Sequence, residues 1–259
     1  MPPVSVTVIT RNEAANIADA LRSVSWADEI IVIDSESTDE TVAIARQFTE
    51  RVIVRAWAGY IDQKNHAAGL ASHEWILSLD ADERVTPELA REIQELLGGE
   101  PAARGYRIPR VTWHLGRWIR STDWYPDRQL RLYDRRTGRW TGMNVHESVT
   151  VEGEVGRLRG EIRHYAYRDL SHHLSTIDRY TTLAARQMLA QGRRATALDL
   201  AARPPLAFLR NYLLRGGFRD GVPGLIVSLV NSYYVLLKFA KLWELQRQAG
   251  RDVPGARAS

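Results

Sequence analysis

The chain has 259 residues, 44% of them hydrophobic, enough for one large or two modest domains with a packed core. It contains no cysteine, which excludes disulfides, thiolate zinc sites and cysteine nucleophiles. The net charge of +4 conceals a split. Residues 1–100 carry 8 basic against 18 acidic side chains, and residues 101–259 carry 27 against 13. A basic second half points to an anionic partner: phosphate, a membrane surface or nucleic acid. Nucleic acid is set aside because no reader motif is present.

Met1-Pro2-Pro3 has neither the basic nor the apolar region of a secretory signal, so the expectation is a catalytic part facing the cytoplasm. Val4 to Thr10 is a β-branched run and predicts the first strand. Residues 16–24 carry apolar side chains at helical spacing. Glu29 to Ile33 predicts a second strand ending at Asp34, and Thr38-Asp39-Glu40 opens a helix through Phe48. Val52 to Trp57 predicts a third strand, Ile61 to Ala71 a helix, and Trp75 to Leu79 a fourth strand. That strand ends in Asp80, Asp82 and Glu83. Thr86 then caps a helix with Pro87 in its first turn. This alternation predicts an α/β fold with a mostly parallel sheet flanked by helices, and right-handed crossovers bring Thr10, Asp34 and Asp80 to one rim. Ligands of open α/β sheets bind outside such strand ends, and two carboxylates there suit Mg²⁺ or Mn²⁺ shared with a diphosphate.

Residues 105–167 lose the helical period and predict a mixed or antiparallel extension of the sheet. Trp113, Trp118, Trp124, Tyr125 and Trp140 lie in this part and suit sugar stacking or core packing alike. Asp169 to Ala190 is helical again. Leu206 to Arg215 predicts an amphipathic helix, Gly216 to Gly221 a turn, and Val222 to Leu237 an uncharged stretch interrupted by Pro223, Gly224 and Asn231. On a helical wheel Ser228, Asn231, Ser232 and Lys238 form a narrow polar arc. Residues 193–259 carry 11 basic against 4 acidic side chains. Together these predict a helical hairpin on an anionic membrane surface. The organisation expected is a catalytic domain over 1–194, divided into a nucleotide-sugar half (1–100) and an acceptor half (101–194). A membrane-association segment over 195–249 and a disordered tail over 250–259 follow. Nothing in the sequence specifies an oligomeric state.

Three stretches carry a family resemblance: VSVTVITRNEAANIADALRSV, EIIVIDSESTDET and QKNHAAGLASHEWILSLDADE. Together they resemble the family 2 glycosyltransferases, which have the Rossmann-like GT-A fold of nucleotide-diphospho-sugar transferases. RLYDRRTGRWTGMNVHESV and GEIRHYAYRDLSHHLSTIDRYTTLAA resemble a narrower set, the bacterial lipopolysaccharide core glucosyltransferases.

The resemblance implies an inverting, metal-dependent transfer of a hexose, glucose first, from a UDP-sugar to a lipid-linked saccharide at the inner face of the membrane. Alternatives are a polyprenyl phosphate or exopolysaccharide acceptor, or a non-catalytic nucleotide-sugar-binding module. It also implies that Thr10, Asn12, Glu13, Asp34, Lys64, Asn65 and Asp80 hold the donor, with Asp34 at the uracil N–H and Lys64 at a phosphate. Asp82 contacts the metal, helped by Asp80. His164 is a third ligand, a phosphate contact or a structural histidine. Arg128 and Arg131 clamp the diphosphate or an anionic acceptor. Glu147 is the base, with His146 beside it orienting the acceptor and Asp123 or Asp127 in reserve.

Overall fold

The computed structural model of the chain describes residues 2–142 and 147–251. By its contacts the chain divides into two units, residues 1–111 with 126–165, and residues 112–125 with 166–259.

The first unit begins with β1 (Val4–Thr10), α1 (Ile17–Arg22), β2 (Glu29–Asp34), α2 (Thr41–Ala45), β3 (Val52–Val54), α3 (Tyr60–Leu70) and β4 (Trp75–Asp80). β3, β2, β1 and β4 lie side by side and parallel. Thr10 is in register with Asp34, and Ile9 with Asp80, so the strand ends meet at one rim as expected. β3 is shorter than the run to Trp57 suggested. The Arg55 N–H bonds to the Asp34 carbonyl at 2.8 Å, and pairing ends there.

Next come β5 (Glu83–Val85) and α4 (Pro87–Gly98), with Thr86 accepting the Leu89 N–H as N-cap. Then follow β6 (Gly105–His114), whose last three residues count with the second unit as does β7 (Arg117–Ile119), and β8 (Asp127–Asp134), β9 (Gly138–Thr141), β10 (Ser148–Val151), β11 (Val155–Arg157) and β12 (Ile162–His164). The expected antiparallel extension is present: β8 runs antiparallel to β4 and β6 antiparallel to β8. β11 departs from it by pairing parallel with β6.

Alternation along the parallel strands fills two cores. Val4, Val6, Val8, Val32, Leu77 and Leu79 pack with Ile17 and Leu21 of α1, Ala45 of α2, and Leu89 and Ile93 of α4. Ile9, Ile31, Ile33 and Ile76 point the other way, against Ala67 and Ala68 of α3 and against Trp140 and Val149 of the β9–β10 hairpin. The sheet is therefore covered on both faces, as near-continuous hydrophobic strands require.

The second unit is mainly α5 (Leu170–Ala190), α6 (Ala197–Leu209) and α7 (Gly221–Arg251). α6 begins nine residues before Leu206, because Thr196 and Asp199 form a reciprocal capping box. It runs into a turn of π-helix over Arg210–Leu214 and a 3₁₀ turn over Gly217–Asp220. α7 is continuous through the residues read as interruptions. Pro223 sits in its first turn, where the missing N–H is not needed. Gly224 is there because the chain comes too close for a side chain: a Cβ would lie 1.9 Å from the Gly217 carbonyl oxygen. α7 also runs through Gly250 and Arg251, two residues into the tail expected to be disordered, and residues 252–259 lie outside the described residues. α5, expected with the catalytic half, packs on α7 through Ala185, Met188, Phe239 and Leu242. Lys241 Nζ ties the two together, donating to the Asp178 carboxylate at 2.7 Å and to the Thr181 and Thr182 hydroxyls.

One contact in the first unit is tight enough to test. Glu92 on α4 accepts the backbone N–H groups of Arg159 and Gly160, drawing that segment onto the helix. A Cβ on Gly160 would stand 2.5 Å from Leu89 Cα, a backbone atom that cannot swing away. Gly160→Ala is expected to destabilise the protein by about 1–3 kcal/mol in urea unfolding, the usual range for overpacking.

Candidate active site

The rim at the ends of β1, β2 and β4 is built by short-range turns. Asn12 takes a left-handed backbone conformation with φ 54°. Its carbonyl Oδ1 accepts the Thr38 N–H, and its own N–H donates to Ser37 Oγ, both at 2.8 Å. Asp34 is fully buried, and its carboxylate accepts the N–H and the hydroxyl of Ser37. These two side chains pin residues 35–39 over the rim. Glu13 closes its own turn by accepting from Asn16 Nδ2 at 2.7 Å, and Thr10 Oγ1 is buried without a partner among the described residues.

At the end of β4 the charges condense into a network. Asp80 accepts from Arg131 Nη2 at 2.7 Å on one oxygen and pairs with Lys64 Nζ at 3.0 Å on the other. Burial pushes the Asp80 carboxyl upward, but Arg131 and Lys64 outweigh it and hold the group well below the usual carboxylate range. Glu83, given no role from sequence, is the fully buried hub. It accepts from the Asp80 backbone N–H at 3.0 Å, Arg131 Nη2 at 2.7 Å and Arg110 Nη1 at 2.9 Å. Arg110 reaches on to Asp127 at 2.6 Å, so the reserve carboxylate Asp127 is occupied. The other reserve, Asp123, lies in the second unit, paired with Arg210 and Arg215.

Arg131 reaches this position through an irregularity. Tyr106 pairs with Leu132 and Arg107 with Leu130, which leaves Arg131 as the extra residue of a β-bulge. Bulges re-aim side chains in this way beside functional sites. Its Nε and Nη1 are buried without partners among the described residues. Arg128, three residues earlier on the same strand, is exposed.

Lys64 is also buried, with its ammonium 4.2 Å from the Trp140 ring centroid and 4.0 Å from Glu147 Oε1. The ring face recovers part of the cost of desolvating the ammonium. Trp140 itself is held by Asn65, which bonds both its N–H and its carbonyl at 2.9 Å. Asn65 therefore braces the aromatic wall. Trp113 and Trp118 meet edge to face at 5.1 Å, and Trp124 packs on Tyr167 and His173, so each of the three has a ring partner within the second unit. His146 lies outside the described residues.

Asp82 is paired with a histidine rather than with an arginine. Its Oδ2 is 3.3 Å from His164 Nε2, and its carbonyl accepts the Tyr165 N–H. Burial raises the Asp82 carboxyl, but the charge and hydrogen bond of His164, with a smaller share from Arg110, leave it below the usual carboxylate range. One carboxylate and one imidazole, both partly exposed, fit Mn²⁺ or Mg²⁺ completed by diphosphate and water oxygens. Among the described residues no group of three or more acidic or histidine side chains converges, so the protein's share of such a site is small. Asp80 already meets a cation at each of its two oxygens.

Sequence reading missed Glu83 and Arg110 because their partners come from the antiparallel extension, whose pairing carries no local signal. The network is a stability element as well. Glu83→Ala would leave buried Arg131 with Asp80 alone and half-buried Arg110 with Asp127 alone, and is expected to cost about 3–5 kcal/mol in denaturant unfolding. Arg91→Ala, which breaks an exposed pair to Glu88, is expected to change stability by less than about 0.5 kcal/mol.

Comparison with known proteins bears on what this rim serves. Residues 5–151 match the glycosyl transferase family 2 model. The lipopolysaccharide core biosynthesis glycosyltransferase LpsC of Rhizobium meliloti (strain 1021) is 31% identical over 249 residues, covering 93% of this chain and 92% of that one. The uncharacterized glycosyltransferase RT0209 of Rickettsia typhi is 31% identical over 258 residues, covering 95% and 88%. Among solved structures, S. aureus TarS 1-349 in complex with UDP-GlcNAc is similar at TM-score 0.48 and 15% identity, over 95% of this chain and 92% of that chain.

Proposed function

Because the chain belongs to glycosyl transferase family 2, and is a nucleotide-sugar transferase of the GT-A fold, we propose that it is an inverting, metal-dependent enzyme moving a hexose, glucose first, from a UDP-sugar to a hydroxyl of a lipid-linked saccharide. The observation that carries this reading is the convergence on one rim of Asp80, Asp82, His164, Lys64 and Glu147. The likeness to LpsC, named for lipopolysaccharide core biosynthesis, supports a saccharide acceptor.

Each residue has a part that follows from its surroundings. Asp34 and Asn12, which fix residues 35–39 at the ends of β1 and β2, would meet the uracil of the donor. Asp82 and His164 would hold Mg²⁺ or Mn²⁺. When bound, that ion supplies positive charge at the leaving diphosphate. Lys64 and the unpartnered N–H groups of Arg131 are the fixed cations of the same rim. Glu147 removes the acceptor hydroxyl proton as the oxygen attacks the anomeric carbon. The bond from that carbon to the diphosphate oxygen breaks, and the nucleoside diphosphate leaves. A polyprenyl phosphate acceptor would not need this proton removal. The basic C-terminal helices suit an anionic membrane surface at the cytoplasmic face, where such acceptors are held.

The test needs no acceptor. A panel of nucleotide sugars with Mn²⁺, Mg²⁺ or EDTA is read by release of nucleoside diphosphate. Slow release from UDP-glucose is expected, lost in EDTA and lowered about 100-fold or more in Asp82→Asn. Glu147→Gln is expected to lower transfer to an added saccharide acceptor by about 10²–10⁴ while leaving donor binding in place. Failure to bind any nucleotide sugar by calorimetry would overturn the enzyme reading.

A further inference from the structure

The polarity of α7 is reversed relative to that of a helix in a water-soluble unit. No charged residue lies between Asp220 and Lys238. The polar residues of that stretch face inward. Ser228 is fully buried and donates to the Gly224 carbonyl at 2.7 Å. Asn231 donates to Asn211 Oδ1 at 3.1 Å and accepts from Trp124 Nε1 at 3.2 Å. Ser232 donates to the Pro204 carbonyl at 2.8 Å. The arc that reads as the wet side of an amphipathic helix is thus the packed side.

The outward side is apolar. Val222, Ile226, Leu229, Tyr233, Leu236, Ala240 and Trp243 recur at alternating intervals of four and three residues, which places them on one stripe. Val222 is 68% exposed, Leu229 51% and Tyr233 43%. Leu206, Leu209, Leu213 and Leu214 are exposed on and just after α6. Contiguous apolar surface of this kind marks a face that meets another apolar body.

Charge selects which body. Residues 193–259 carry a net charge of +7. Arg215 and Arg219 lie in the turns that precede α7, and Arg247 lies over the Trp243 ring at 4.7 Å near its other end. A second copy is disfavoured by the stripe itself. Every second position is Ile226, Tyr233, Ala240 or Arg247, a poor series of knobs, and of its flanks Leu225, Val230, Ser232, Leu237, Phe239, Glu244 and Gln246 only Glu244 is charged, too little to fix a register.

We propose that α7 lies in the plane of an anionic bilayer surface, its Val222–Trp243 stripe against the acyl chains and the flanking arginines among lipid phosphates. This rests on the membrane reading above and adds the face and the orientation. α7 is about 46 Å long at 1.5 Å per residue, long enough to cross. Crossing is opposed by what packs at its middle: Asn211, bonded to Asn231, also holds Asp123, which pairs with Arg210. A span would carry that ion pair toward the bilayer centre.

The test uses the full chain and vesicles of phosphatidylcholine, with or without a quarter phosphatidylglycerol. Wild type is expected to bind the anionic vesicles. The double variant Leu229→Glu, Leu236→Glu is expected to bind them about tenfold or more weakly, with its thermal melt unchanged. Because the chain has no cysteine, Leu229→Cys and Leu236→Cys can each carry a single spin label. Both labels are expected to report the same shallow depth, about 5–10 Å below the headgroups. Equal binding by wild type and the double variant overturns the proposal and leaves the membrane reading standing. So does a label depth near the bilayer centre, or label–label coupling in protein without vesicles. Failure of wild type to bind either vesicle overturns both.

Discussion

The first unit depends on one electrostatic constraint: a carboxylate buried beneath the end of β4 must be neutralised. Glu83 has no access to water, so it is stable only because Arg110, Arg131 and the Asp80 N–H bond to it. That requirement fixes much else. It ties β5 to the strands that supply the arginines, β6 and β8. It sets the direction of Arg131, which the bulge in β8 makes possible. It also assigns Asp80 a structural share. With its two oxygens bonded to Arg131 and Lys64, Asp80 stands as an anchor, while Asp82, two residues on, meets His164 instead of a guanidinium or ammonium group.

The same constraint accounts for the division of labour around the rim. Lys64 and Arg131 are buried cations whose charge is only partly spent on Asp80 and Glu83, and both lie against the Trp140 ring. A site that handles a diphosphate needs fixed positive charge of this kind, preorganised by carboxylates behind it. Glu147 lies within 4.0 Å of the same ammonium, so the proposed base and the cation share one small region. Asn12 and Asp34 do comparable work at the neighbouring strand ends by fixing a loop with local hydrogen bonds.

In the second unit the organising principle differs. Its polar side chains are used inward, in Asn211–Asn231–Trp124 and in the Asp220 carboxylate that accepts from Ser121 and the Arg120 N–H. Its leucines are left outward. A helical wheel drawn on sequence alone cannot assign inside and outside when polar residues have packed partners, because the wheel gives the arc and not its neighbour.

The sequence by itself determined the parallel βαβ half. β-branched runs, capping residues and their spacing are local, and local steric and hydrogen-bonding preferences set them, so β1, β2, β4 and the Thr86-capped α4 fall where the pattern puts them. The motif at the end of β4 was legible for the same reason: an apolar strand that stops in carboxylates is visible in a short window. Only the tertiary structure decided what those carboxylates meet. Arg110 and Arg131 lie 27 and 48 residues from Glu83 along the chain, His164 is farther still from Asp82, and Asn65 meets Trp140 across 75. Such pairings depend on sheet register and on one bulge, which are set by long-range packing rather than by neighbouring residues. The length of α7 and the direction its apolar stripe faces were decided in the same way, by which helices came to lie against it.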